Sequence, residues 1–218
     1  MTKIHARTCL LALLVVALLA ACVNIGAGTP PRQPSYILEA TVPAAALDPA
    51  GIAVGVGPVT ISAYLDRDEM IVREAENRVR IEPRHYWGAP LSDEVQRVLG
   101  ENLARLLHTE RVRTWPWSRN AGIVVRVPVE VLQFEPVAGR GVVLVVRWQV
   151  LSPDASKVLV VRQSEIVEPL AAAGPGPQSV GMSRALASLS GEIAAAIRAA
   201  PATGATAAAR QTQTGAAN

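Results

Sequence analysis

Between Val142 and Val150 every second residue is large and apolar. Val142, Leu144, Val146, Trp148 and Val150 share one face of an extended chain, and Val143, Val145, Arg147 and Gln149 the other. A period of two is the mark of a strand that buries one face, so this chain has to build a sheet with something packed on it. Two neighbouring runs, Ile123 to Phe134 and Val158 to Val167, have the same β-rich composition. The links between the three, Pro136–Gly141 and Ser152–Ser156, are short and turn-like, which predicts an antiparallel meander. Pro128 interrupts the first run and offers no N–H to a ladder, which predicts an edge or bulged strand.

Two helices supply the cover. Leu91, Val95, Val98, Leu99, Leu103, Leu106 and Leu107 repeat at three and four, opposed by Glu94, Arg97, Glu101 and Arg105. Pro90 suits the first turn of this helix, or Ser92 its cap. After a break at 172–177, a second helix is expected from near Gln178, with Met182, Leu186, Leu189, Ile193 and Ile197 on its buried side. Upstream, Ile52 to Ile61 reads as a strand whose Gly55, Gly57 and Pro58 mark a bulge or an edge. Met70–Arg73 and Arg78–Ile81, joined at Glu76-Asn77, read as a hairpin. The expected fold is α/β, a mixed and largely antiparallel sheet packed by two main amphipathic helices. It forms a single domain over 35–199, about 165 residues. Residues 200–218 have no periodicity and are expected to be a disordered tail.

The N-terminus sets the compartment. Lys3 and Arg7 precede an unbroken Leu/Ala/Val run from Leu10 to Leu19, followed by Ala20-Ala21-Cys22. The run is about ten to twelve residues, where spanning a bilayer takes about 20, so residues 1–21 read as a secretory signal. Leu19-Ala20-Ala21-Cys22 resembles the lipobox of bacterial lipoproteins, which implies that Cys22 becomes the acylated first residue of the mature chain. Two or more acyl chains hold a protein to a membrane stably without any buried helix. Val23 follows where an inner-membrane retention signal would have aspartate, and by the same resemblance this favours the outer membrane. Residues 22–34 are Gly/Pro-rich and are expected to act as a flexible tether of roughly 20 Å.

What chemistry do the remaining residues support? Loss of the signal leaves 19 basic against 18 acidic residues, and no basic run is interleaved with aromatics, so nucleic acid is not an expected partner. Cys9 lies in the signal and Cys22 carries lipid, which removes disulfides, thiol catalysis and cysteine-based zinc sites. His85 and His108 have no metal-ligand spacing, and the glycines of the 52–61 strand lack the third glycine and the helix of a dinucleotide site. Gly181-Met182-Ser183-Arg184-Ala185 approaches a nucleophile elbow, but Ser183 falls within an expected helix. No catalytic residue, metal or cofactor is assigned. Arg84, Tyr86 and Trp87, and Trp115 and Trp117, are expected in loops. Two readings stand for them: packing against the adjoining helix, or a hot spot for a partner.

Tyr64-Leu65-Asp66-Arg67, then Arg73, then Tyr86-Trp87-Gly88-Ala89-Pro90-Leu91-Ser92 opening a Leu-rich helix resemble the PqiC-type family. So does the closing Met182-Ser183-Arg184-Ala185-Leu186 helix. These are the ABC-type transport auxiliary lipoproteins associated with MCE-domain transporters. Asp68-Glu69 departs from the Pro-Gln common there. The resemblance implies a non-catalytic lipoprotein on the periplasmic face of the outer membrane. It also implies an MCE-domain partner that carries lipid between the two membranes, in support of envelope integrity. A homo-oligomeric ring is compatible with a partner that forms a symmetric tube. The alternative is a stand-alone envelope lipoprotein that binds a small apolar ligand.

Overall fold

The computed structural model describes residues 33–118 and 120–200. The expectations for the signal, for Cys22, for most of the tether and for the tail fall outside the described residues. In chain order the elements are β1 (Ser35–Tyr36), β2 (Val54–Ile61), β3 (Glu69–Ala75), β4 (Arg78–Trp87), α1 (Leu91–Leu107), β5 (Val112–Thr114), β6 (Val125–Val137), β7 (Gly141–Leu151), β8 (Val158–Glu168) and α2 (Pro175–Ala199). The eight strands form one mixed sheet. The antiparallel pairings β3–β4, β6–β7 and β7–β8 carry most of the register, and β1–β4, β2–β5, β2–β6 and β3–β6 are parallel. Both helices pack on the sheet and on each other. The expected α/β fold and the β6–β8 meander are therefore present.

The period-two pattern of β7 does what its spacing demands. Val142, Leu144, Val146, Trp148 and Val150 are all buried, with Leu186, Leu189 and Ile193 of α2 in the same core. Gly181 lets α2 settle close: a Cβ there would lie 2.8 Å from Leu170 Cδ2 and 3.0 Å from Val142 Cγ2. The second face of β7 is not wholly solvated. Val143 is also buried, and Glu135, its partner across the ladder, is sealed from water.

Three expectations are decided here, the first as a choice between its two alternatives and the others as corrections. First, Pro128 does not lie on an edge: β6 is central, with β7 on one side and β2 and β3 on the other. The bulge is real. Val56 pairs with Val127 and Val59 with Val129, so Gly57 and Pro58 together oppose Pro128. Two residues that cannot donate to a ladder sit at one interruption, which is how a central strand tolerates them. Second, Pro90 occupies the N-cap position of α1, so it is neither inside the first turn nor displaced by a Ser92 cap. Third, α2 starts at Pro175, inside the stretch read as a break. Pro175 and Pro177 lack N–H groups where a helix has no acceptor for them, so the first turn loses nothing.

Candidate functional site

The polar face of α1 is not a solvated face. Before β2 the chain runs extended along it, outside the sheet, and the helix side chains take up its backbone groups. Glu94 Oε2 accepts from Leu38 N at 2.8 Å, Asn102 Oδ1 from Val42 N at 3.3 Å, and Arg105 Nη1 donates to Ala40 O and Val42 O at 2.8 and 2.7 Å. His108, the left-handed C-cap residue, reaches Ala46 O at 3.3 Å. Arg97 donates to Leu38 O and pairs with Glu94 at 2.9 Å and Glu101 at 2.8 Å. Glu94, on the side opposed to the apolar stripe, is only 6% exposed. Its carboxylate satisfies a buried N–H that would otherwise cost about 1–3 kcal/mol. The signal available in the sequence was the spacing 94, 97, 101, 105, 108, one helical stripe of hydrogen-bonding side chains.

The motif residues Tyr64 and Arg73 meet at a residue that sequence reasoning missed. Glu135, between Phe134 and Pro136 in β6, is 0% exposed. Its carboxylate accepts from Arg73 Nε at 2.6 Å, Tyr64 Oη at 2.9 Å and Phe134 N at 3.0 Å. The Arg73 guanidinium also lies 5.5 Å from the Tyr64 ring centroid. Burial, followed by the charge of Glu135 and the hydrogen bond to it, pushes the Tyr64 hydroxyl up to about 12. Burial disfavours the Arg73 cation, but the bond to Glu135 and its charge prevail and raise its pKa. Every group is satisfied by another, so the cluster fixes β3 and the 62–64 turn against β6 and has no free acid or base to offer a substrate.

The aromatic residues assigned to partners lie apart. Arg84, Tyr86 and Trp87 belong to strand β4 and not to a loop, which corrects their expected setting. Trp87 is 8% exposed and belongs to the core, so the packing reading applies to it. Arg84 is exposed at positive φ (62°), inside an irregularity where Glu69 and Ile71 of β3 face Tyr86 and Ile81 of β4. Two residues of one strand advance while five of the other do, and Pro83 sits in the surplus. Tyr86 pairs with Ser35 of β1.

Trp115 and Trp117 lie beyond β5, a strand that among the described residues pairs with β2 alone, on the other border of the sheet. They are in a loop, as expected. Their rings meet edge to face, centroids 5.0 Å apart at 88°. Trp117 rests on Gly55, where a Cβ would come within 3.0 Å of the indole, and the Arg126 guanidinium lies 6.0 Å from the Trp117 centroid. Gln96 of α1 donates to Trp115 O at 2.7 Å. Trp115 itself is 46% exposed. Beside it, a groove of about 900 Å³ runs along α1 past Gln96, Gly100 and Ala104, from Trp117 to Leu47. The structure thus does not gather the five residues into one site.

Ser183 sits inside α2, donates to Ser179 O at 2.7 Å and accepts from Glu39 N at 3.0 Å, so its hydroxyl is a packing group. Among the described residues no three of His, Cys, Asp and Glu are grouped to hold a metal.

Comparison with known proteins adds the following. The family model described as ABC-type transport auxiliary lipoprotein component matches residues 36–194. No curated protein matches the chain. A crystallised protein of uncharacterised function is similar at 17% identity and a TM-score of 0.60, covering 74% of this chain and 99% of its own. A Xanthomonas campestris protein of the DUF330 family is similar at 15% identity and a TM-score of 0.58, covering 73% of this chain and 93% of its own. At such identities these two likenesses concern the fold.

Proposed function

The chain belongs to the ABC-type transport auxiliary lipoprotein component family, and from that premise we propose that it is the non-catalytic, lipid-anchored subunit of an MCE-type lipid transporter. Acylated Cys22 holds it to the periplasmic face of the outer membrane. The folded domain then gives the periplasm-spanning MCE partner a fixed point, which supports lipid passage between the membranes and envelope integrity. The observation that carries this reading is the joining of two features in one chain. Leu19-Ala20-Ala21-Cys22 resembles a lipobox, and the family match begins at residue 36. A tubular partner would present several equivalent docking places to a ring of copies.

Pull-down of the lipidated protein from envelope extract tests the assignment: an MCE-domain protein is expected in the eluate, and its reproducible absence would count against the reading. Cys22→Ser is expected to leave a folded domain that no longer fractionates with membranes. A second reading, small apolar ligand binding, is favoured by one feature. A depression of about 530 Å³ at the β6–β7 turn is lined by Val72, Pro136, Val137, Pro169 and Leu170. Its volume suits a small ligand. Co-purification of a stoichiometric apolar molecule with the isolated domain would favour it.

A further inference from the structure

We infer that the end of the domain at which α1 begins, with Trp115 and Ile37 at its rim, rests on the headgroup layer of the membrane that carries Cys22. The inference rests on the anchoring proposed above. Its first support is chain direction. Leu38 meets Glu94, Ala40 and Val42 meet Arg105, and Ala46 meets His108, so the segment after β1 runs the same way as α1. Pro34, which accepts from Tyr86 N, is therefore at the start of α1. β5 runs the opposite way: Thr114 lies beside Gly100 and the Trp115 carbonyl at Gln96. The Trp corner is thus directed back toward the end from which the chain leaves for Cys22. Gln96 is five residues into α1, so the offset along its axis is about 8 Å.

Length is the second support. Residues 23–33 separate Cys22 from Pro34. Even fully extended, a chain of that length reaches only about 40 Å, and a domain of this size measures roughly 40 Å across. A tether no longer than the body it holds keeps the exit end nearest the bilayer. The contact then forms within one molecule at high effective concentration, so weak affinity suffices.

The third support is the chemistry of the rim. Among the described residues Trp115 is the aromatic residue left exposed, and Ile37, three residues from Pro34, is 51% exposed. An indole with one apolar body and one N–H settles at the boundary between headgroups and acyl chains. Packing of Trp115 on Trp117 holds it in place beforehand, which limits the ordering cost of contact. Arg84 and Arg113 have no carboxylate partner among the described residues, but Asp68 and Asp93 share this end. Aromatic insertion therefore outweighs charge attraction.

The experiment uses the full acylated chain in vesicles of phosphatidylcholine and phosphatidylglycerol, with plain or brominated acyl chains, and reads tryptophan emission and flotation together. Bromine quenches an indole only at short range. Wild-type emission is expected to be lower on brominated vesicles, and the double variant Trp115→Phe/Trp117→Phe to lose that difference, since the two tryptophans that remain, Trp87 and Trp148, are enclosed in the core. Protein that floats with equal emission on both vesicles overturns the membrane contact and leaves anchoring standing. Protein that does not float overturns both. Emission that responds to an added MCE-domain protein but not to brominated lipid assigns the corner to a protein partner and overturns the inference.

Discussion

Tyr86-Trp87 and Trp115-Pro116-Trp117 look interchangeable in the sequence: two aromatic residues in or beside a turn-rich stretch, each next to an arginine. They end in opposite circumstances. Trp87 is paired through β1 on one side and β3 on the other and sinks into the core, whereas Trp115 leaves a three-residue strand and keeps 46% of its surface. Both sites hold two aromatic residues, so what differs is how many elements surround each. The same contrast separates Arg73, bonded to a sealed carboxylate, from exposed Arg113, and enclosed Glu94 from the more open Glu101 two turns along the same stripe. A residue type in this chain acquires its role from its enclosure.

That comparison can be broken by substitution. Trp87→Ala should lose about 3–5 kcal/mol, the usual consequence of emptying a core indole site, while Trp115→Ala should lose about 1 kcal/mol, the edge-to-face contact alone. Equal urea midpoints for the two variants would defeat the contrast. Arg73→Met should lose about 3 kcal/mol because it strands the Glu135 carboxylate, and Arg113→Ala should stay within about 0.5 kcal/mol. For Glu94→Ala, about 2 kcal/mol is expected from the unsatisfied Leu38 N–H and Arg97. Faster hydrogen exchange at the Leu38 amide should accompany it, and Glu101→Ala should leave that amide protected.

The smallest effect is pH-dependent. Tyr64 titrates near 10 when unfolded and is pushed up to about 12 in the fold. Above pH 10 the unfolded chain loses a proton that the native state keeps. The stability from this site is whole below pH 10 and falls away as pH rises through 12. Tyr64→Phe should flatten that alkaline decline relative to wild type; an unchanged slope would show that Tyr64 is not sealed against Glu135.

Much of the fold was legible because it is local. The alternation in β7 and the three-and-four spacing in α1 and α2 are set by the pitch of each element, and burial largely follows them, with Leu106 and Leu107 half-buried and Glu94 and Asn102 enclosed beside the stripe. The central place of β6 was not legible, since Pro128 alone fits an edge as well as a bulge. Only the opposing Gly57-Pro58 makes it tolerable, and that partner lies seventy residues away in the chain. The site was less readable still. Cys22 is a motif, but the enclosure of Glu94 and the meeting of Tyr64, Arg73 and Glu135 join residues 56 to 71 positions apart.

By itself the sequence determined the periods of its strands and helices, for these depend on neighbours within a few residues. Tertiary structure decided which polar stripe is covered, which tryptophan is left outside and which carboxylate is sealed. A side chain's free energy depends on what displaces its water, and in this protein the displacing groups arrive from strands and segments far along the chain.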